Sequence, residues 1–340
     1  MKIVYCGQME VGGTCLMRQR ALTGLGHDLT IVDTSLTLQS IRGTVFRVGR
    51  RMGWTLDVQR SSHRLLQAVA NVQPNLVWVD KGVTIRPDVL REIRNSRAGV
   101  KLIHFCLDDM GMPHNQSSQY LESVPLYDLH VTTKSYNVNE LKEMGAKDVL
   151  FVNNGFCPLT HKPFAPTRED EVLYGGQVGF IGTYEEDRAD AISKIAARGY
   201  RVRIWGNGWS GWAKRNLSVQ VENRPIIGER YARAIAHFKI NLGFLRKLNR
   251  DLQTTRSVEI PACGGFLLAE RTTEHSQLFK EGEEAEFFSD DHELVEKVAY
   301  YLEHEPQRRA ITDAGLQRTR ASKYEWEENM VLAIRRVQSN

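Results

Sequence analysis

Residues Asn241–Leu268 read NLGFLRKLNRDLQTTRSVEIPACGGFLL, and the rest of the chain is best read outward from them. An apolar run over Lys239–Phe244 has the length of a buried strand. A loop rich in basic and polar residues follows, then a short helix at Val258–Cys263 with Ser257 as its expected N-cap. Glu259 falls in the expected first turn of that helix. A carboxylate there either complements the helix dipole or accepts hydrogen bonds from a ligand. Gly264 and Gly265 then switch the chain directly into a second apolar strand, Phe266–Ala269. Strand, helix and strand at this spacing form a βαβ unit, which joins parallel neighbours.

The same alternation runs in both directions. Upstream, strands are expected at Lys2–Cys6, His27–Asp33, Leu76–Val79, Lys101–Cys106, Leu129–Thr132 and Val149–Val152. Helical periodicity lies between them at Cys15–Leu25, Val58–Val72, Pro87–Asn95 and Val138–Met144. Residues 156–172 carry three prolines and no periodicity, the composition of a linker. Strands resume at Gln177–Ile181 and Arg201–Trp205, with helices at Asp187–Arg198, Gly228–His237 and Asp291–His304. The expectation is an α/β chain with two consecutive doubly wound domains, 1–155 and 173–322, whose ligands lie at the carboxyl ends of the strands. Residues 323–340 contain a helix, near Glu325–Val337, expected to cross back to the first domain.

Composition bounds the function. With 340 residues, 41% hydrophobic and 25% charged, the chain has the make-up of a globular protein large enough for two cores. A net charge of +4 is too small and too dispersed to indicate nucleic acid. Arg42, Arg47, Arg50 and Arg51 gather in one basic stretch, expected as a solvated loop or a contact to an anionic acceptor or membrane surface. Five scattered cysteines without a CxxC pair fit a reducing compartment. No apolar stretch approaches the roughly 20 residues of a membrane span, and the first residues lack the pattern of a secretion signal. The expected location is therefore the cytoplasm, with peripheral membrane contact at most.

Four glycine-containing segments bear on a ligand. GQMEVGGT at Gly7–Thr14 has the glycine and threonine spacing of a phosphate loop, but Gly13 occupies the lysine position. Gly12 and Gly13 thus read as a turn into a helix, with a ligand-facing role as the alternative. His104–His114 gathers histidine, cysteine and the adjacent Asp108 and Asp109, yet the spacing matches no compact metal signature. The two aspartates, just past a strand's carboxyl end, read as ligand-facing residues, with a capping aspartate and a solvated neighbour as the alternative. Gly179–Arg188, GFIGTYEEDR, is a strand, a glycine turn at Gly182–Thr183 and a helix start, with Arg188 able to contact a phosphate. Trp205–Trp209, WGNGW, ends the next strand in the same way.

The segment Arg256–Gly265, RSVEIPACGG, resembles the C-terminal signature of GT-B glycosyltransferases, especially the bacterial spore-maturation CgeB-like branch. GFIGTYEEDR, WGNGW and Gly282–Gly315 fit the same pattern in the same order, so the resemblance covers most of 175–330; the N-terminal half joins it only through MKIVYCG and IHFCLDDM. It implies two Rossmann-like domains facing a central cleft and sugar transfer from a nucleotide-sugar to an acceptor hydroxyl. No cofactor or metal is implied beyond that co-substrate. Retaining members carry two acids with seven residues between them; here Glu259 takes the second place and Asp251 the first, where the family has glutamate. By this likeness Glu259 accepts the ribose hydroxyls and Asp251 faces the transferred sugar. Arg256, Arg188 and the Gly182–Thr183 turn serve the diphosphate, Gly264 and Gly265 close the site, and Arg224, Pro225 and Ile226 lie at the base. The acceptor, a glycan, lipid-linked or small molecule, belongs to the first domain, with Gly12, Gly13 and Asp108 beside it and Asp109 at its attacking hydroxyl. A nucleotide-sugar 2-epimerase or hydrolase of the same fold, and a non-catalytic nucleotide-sugar-binding protein, are the alternatives.

Overall fold

A computed structural model describes residues 1–36, 56–165, 167–213, 216 and 219–339. The arginines Arg42, Arg47, Arg50 and Arg51 lie outside the described residues. The chain divides into two compact units. One comprises Met1–Asn153 together with Trp326–Asn340, the other Asn154–Glu325.

The first unit is a six-stranded parallel sheet of β1 (Lys2–Gly7), β2 (Asp28–Asp33), β3 (Leu76–Asp80), β4 (Lys101–Cys106), β5 (Leu129–Thr132) and β6 (Val149–Phe151), in the order β2-β1-β3-β4-β5-β6. Its helices are α1 (Thr14–Gly24), α2 (Ser61–Val72), α3 (Pro87–Ser96), α4 (Ser118–Ser123) and α5 (Asn137–Glu143), joined by the late helix Trp326–Ser339. Central strands covered on both faces read as unbroken apolar runs, and β3, LVWVD, is buried at every position. Local chemistry sets the helix ends. The Asp57 carboxylate accepts from the backbone N–H groups of Ser61 and Ser62 at 2.7 and 2.8 Å, which caps α2. Pro87 opens α3, where its fixed φ suits a first turn. The late helix is locked to this sheet by Trp326, fully buried and edge-on to Phe105 at 6.0 Å.

The second unit is again six parallel strands: β7 (Gly176–Ile181), β8 (Val202–Trp205), β9 (Val219–Val221), β10 (Phe238–Gly243), β11 (Leu267–Glu270) and β12 (Glu286–Phe288), in the order β12-β11-β10-β7-β8-β9. Its helices are α6 (Arg168–Tyr174), α7 (Glu186–Ala197), α8 (Ser210–Ala213), α9 (Glu229–His237), α10 (Thr255–Ala262), α11 (Thr273–Leu278), α12 (Asp291–Glu303) and α13 (Glu305–Ala321). One face packs Val178, Ile192, Leu242 and Leu294 together; the other packs Tyr231, Ile235, Val258 and Phe287.

The quoted stretch folds as strand, helix and strand, with two differences. The helix begins a turn earlier than expected, at Thr255, with Thr254 as N-cap. Ser257 is instead the third helical residue and returns the favour of a capping box: its Oγ accepts from the Thr254 N–H at 3.0 Å. Glu259 therefore stands in the second turn, on the inward side. The glycine pair has two separate causes. Gly264 has φ +74°, a left-handed turn, whereas a Cβ on Gly265 would come within 2.5 Å of Ile235 Cγ2.

Residues 156–172 are not a free linker. They belong to the second unit, where Phe156 bridges to Glu325 and donates its N–H to the Tyr324 carbonyl at 3.0 Å. Thr167 caps α6 by accepting from the Asp170 N–H. Among the described residues no helix is long and apolar enough to cross a membrane.

Candidate functional site

In a doubly wound sheet the chain leaves its first strand in opposite directions, and the loops that part there open a crevice at the carboxyl edge. In the second unit that point lies between β7 and β10, which pair in parallel through Asn241 and Gly179. The loops concerned follow Ile181 and Gly243. Gly182 donates its N–H to the Trp205 carbonyl at 2.9 Å, and its own carbonyl accepts from Trp209 Nε1 at 2.9 Å. Gly206, with φ +150°, lets the β8 loop approach this closely: a Cβ there would come within 1.9 Å of the Gly182 oxygen. The exposed Thr183 is presented just beyond.

Arg188 does not reach out for a phosphate. Its side chain is 11% exposed, and it donates to the carbonyls of Thr183 at 3.1 Å and Leu245 at 3.0 Å, with Glu185 at 3.3 Å. It thereby braces the β7 loop against the β10 loop, and burial lowers its pKa.

Arg256 and Glu259 are brought together one turn apart on α10. Glu259 is 2% exposed; its Oε2 accepts from Tyr231 Oη at 2.9 Å and from Arg256 Nη1. Its Oε1 faces His161 Nε2 at 3.8 Å. Burial alone would raise the Glu259 pKa, but the Arg256 charge, then His161 and the hydrogen bonds, hold it below the usual range. Burial pushes the His161 pKa down, so the ring is neutral. Its Nδ1 accepts from the Cys157 N–H at 3.2 Å, which leaves the proton on Nε2, facing the carboxylate. Arg256 lies over the Tyr231 ring at 4.5 Å, donates through Nε to the Ile181 carbonyl at 3.4 Å, and keeps 34% of its side chain exposed. The cation at the mouth of this cluster is thus Arg256. Glu259 is behind it, and a ribose hydroxyl reaches the carboxylate only if the surrounding side chains give way.

The other expected donor residues are dispersed along the same edge. Asp251 is partly exposed, its carboxylate 3.4 Å from the Arg246 N–H, in the loop ahead of α10. After β9, Arg224 is exposed and lies over Trp205 at 5.3 Å, Pro225 is exposed, and Ile226 is buried in the core. Ile226 therefore supports the loop and does not touch a ligand directly. Gly264 and Gly265 are at the far, amino end of β11, so they shape the helix exit and do not contact a ligand at the carboxyl edge.

In the first unit the loops part between β1 and β3, and a pocket of about 490 Å³ opens there. Asp108 lines it, paired with Lys81 at 2.6 Å. Gly12 has φ +81° in the turn before α1, and Gly13 is the helix's N-cap. Asp109 points the other way. It is fully buried, and its Oδ1 accepts from the Gly111 N–H at 3.1 Å and from Asn137 Nδ2 at 2.8 Å. The expected contact to an attacking hydroxyl is therefore corrected: this carboxylate pins the β4 loop to α5.

A family model described as glycosyl transferase-like matches residues 188–334. No curated protein sequence matches the chain. HepE of Anabaena, solved in complex with UDP and glucose, is 12% identical with TM-score 0.66, each chain covered in full. Sucrose-phosphate synthase from Thermosynechococcus elongatus is 12% identical with TM-score 0.70, covering 100% of this chain and 99% of that one. A Listeria monocytogenes protein proposed to be a UDP-N-acetylglucosamine 2-epimerase is 12% identical with TM-score 0.58, covering 98% and 95%. The fold is that of the GT-B glycosyltransferases. The segment similar to the glycosyl transferase-like model covers most of the second unit and runs on into the late helix of the first.

Sequence reasoning missed the partners that define both clusters. Tyr231 and His161, which contact Glu259, are 28 and 98 residues from it in the chain. In the first unit, Arg18 pairs with Asp80 at 3.2 Å, and the Tyr5 hydroxyl lies against the same carboxylate. Arg18 is an arginine in mid-helix and Asp80 the last residue of a strand, and nothing local marks either as paired.

Proposed function

We propose that the protein transfers a sugar from a nucleotide-diphosphate sugar to an acceptor hydroxyl. The observation that carries this is the Arg256–Glu259 pair: a partly exposed cation, held by a buried carboxylate, at the carboxyl edge of the sheet and inside the glycosyl transferase-like segment. Transfer breaks the bond between the sugar C1 and the β-phosphate oxygen and forms one from C1 to the acceptor oxygen, whose proton leaves with the departing phosphate. Charge develops on that phosphate, and a fixed guanidinium stabilises it more in the transition state than before. Arg256 supplies the guanidinium in this reading. Glu259 orients it and meets the ribose once the side chains over the carboxylate give way, while Asp251 faces the sugar.

The Asp251–Glu259 spacing favours retention of configuration. With Arg256 as the counter-charge, transfer is expected to continue in excess EDTA; activity abolished by EDTA and restored by magnesium or manganese would overturn that part.

The decisive experiment measures nucleoside diphosphate release from UDP-, GDP- and dTDP-sugars with and without added acceptor hydroxyls. Release that depends on acceptor supports transfer. Release without acceptor supports hydrolysis, and tight binding without release supports a binding protein. Asp251→Asn should leave donor affinity within about threefold, under 1 kcal/mol, and lower turnover by roughly a hundredfold or more. Retained turnover would make Asp251 a structural loop residue.

A further inference from the structure

We propose that His275 is a positioning residue for the transfer: through Ser257 it fixes the first turn of α10, on which Arg256 stands. This rests on the transfer reading above, in which Arg256 meets the leaving phosphate. His275 lies in the first turn of α11, and both it and Ser257 are buried. Ser257 Oγ and His275 Nε2 are 2.7 Å apart, and His275 Nδ1 is 2.6 Å from the Glu270 carbonyl. Chemistry sets the direction of each bond. A carbonyl only accepts, so Nδ1 carries the ring proton. Burial lowers the pKa of the ring, against the Glu270 carbonyl and then Glu274, so the ring is neutral and Nε2 is bare. Nε2 therefore accepts from the Ser257 hydroxyl, whose oxygen in turn accepts from the Thr254 N–H at 3.0 Å. One directed chain thus runs from the N-cap of α10 through Ser257 and His275 to the end of β11. Breaking any link leaves a buried polar group without its partner.

A second tie starts from the same turn. Thr272 Oγ accepts from the His275 N–H at 3.0 Å and donates to the Leu252 carbonyl at 2.5 Å. Leu252 follows Asp251, and Ser257 follows Arg256. The start of α11 thereby holds, at both ends, the segment that carries the residues assigned to the sugar and the phosphate. The His275 ring also stacks on the buried Phe287 of β12 at 5.5 Å, which seats this clamp on the sheet. Glu259 is held separately, by Tyr231 and His161. Loosening the first turn of α10 therefore displaces Arg256 and spares the carboxylate assigned to the ribose. The expected result is slower turnover at nearly unchanged donor affinity.

Two substitutions separate the hydrogen bond from the ring. His275→Gln places an amide oxygen where Nε2 accepts from Ser257, whereas His275→Asn reaches only the Glu270 carbonyl; both lose the stack on Phe287. Turnover is read on the whole chain as nucleoside diphosphate released from UDP-glucose, GDP-mannose and dTDP-glucose, with glycerol, maltose and hexyl β-glucoside as hydroxyl probes. His275→Asn should lower kcat at least roughly tenfold and leave the KM for the nucleotide-sugar within about threefold. His275→Gln should keep kcat within about threefold of the parent chain. Ser257→Ala should match His275→Asn, and the double variant should be no slower than either, because both break one chain. If His275→Asn does not fold, Ser257→Ala carries the test. Unchanged kcat in His275→Asn or Ser257→Ala, or His275→Gln as slow as His275→Asn, overturns the positioning role and leaves transfer standing. No acceptor-dependent release by the parent chain overturns the transfer reading, and this role with it.

Discussion

The two units are built on the same plan and finished with different chemistry. Each is a six-stranded parallel sheet whose first strand lies third or second from an edge in a doubly wound order, and each opens at the point where the order reverses. In the first unit that opening is a pocket whose described charged side chains Arg18 and Asp80, and Lys81 and Asp108, are paired, and its buried guanidinium lies over the rings of Phe105 and Trp326. In the second, a guanidinium stands at the surface of the edge with a third of its side chain exposed, backed by a buried glutamate. The plan therefore fixes where a ligand can lie. Whether that ligand is neutral or anionic depends on which side chains the loops add.

This contrast can be broken by experiment, beginning with the largest effect. Trp326→Ala removes a fully buried ring from the first unit and should destabilise it by roughly 3–5 kcal/mol. Urea unfolding should then split into two transitions, with only the first unit's midpoint displaced. A common shift would show that the units unfold together and that comparing them separately is wrong.

Acid should also act more strongly on the first unit. His104 and His130 meet through their Nδ1 atoms at 3.2 Å, and burial pushes their pKa values down to about 3 and about 4. Unfolding lets both rings bind protons near pH 6.5, so the stability they contribute is present above that value and is lost as pH falls toward their folded values. At pH ~5 the loss is roughly 2 kcal/mol per ring. His161 and His275 of the second unit are lowered too by burial, but Glu259 beside the first, and the Glu270 carbonyl and then Glu274 beside the second, work against the shift. Denaturation midpoints followed from pH ~7 to ~5 test this. A first unit equally stable at both ends would mean its rings are already protonated when folded.

Glu259→Gln should cost about 2 kcal/mol of stability in the second unit, discounted because Arg256 remains partly hydrated. Nucleotide-sugar affinity should fall by roughly tenfold or more as a charged hydrogen bond is lost. Unchanged affinity in a folded variant would mean that the pair is purely structural. The smallest expected effect comes from Arg224→Ala. This exposed side chain packs over Trp205, and its loss should change stability by less than about 0.5 kcal/mol. A drop in nucleotide-sugar affinity alone would assign it to the base; a drop in stability alone would make it a cover for the indole.

Strand positions were legible in the sequence because parallel central strands are short, largely apolar runs, as in the LVWV of β3 and, broken only by His104, the LIHFC of β4. Helix α13 was not legible as an element: it follows α12 with only His304 between them, and a proline opens it. At the candidate site, Glu259 and Arg256 could be found because the turn and glycines after them are local signals. The depth of Glu259 could not, because it depends on Tyr231 and His161, which no spacing rule connects to it. Asp109 shows the same limit. Adjacent aspartates beyond a strand end look alike in sequence, yet Asn137 draws one into the interior while Lys81 holds the other at the pocket.

The discontinuity of the first unit also bears on biosynthesis. Its sheet is complete by Phe151, but the helix that covers Phe105 and Arg18 is joined to the chain only after every residue of the second unit. Until that helix docks, the first unit exposes the apolar surface that Trp326 covers. A premature stop within the last fifteen codons for these residues would therefore leave the later-synthesised unit whole and damage the earlier one, a polarity opposite to the order of the message.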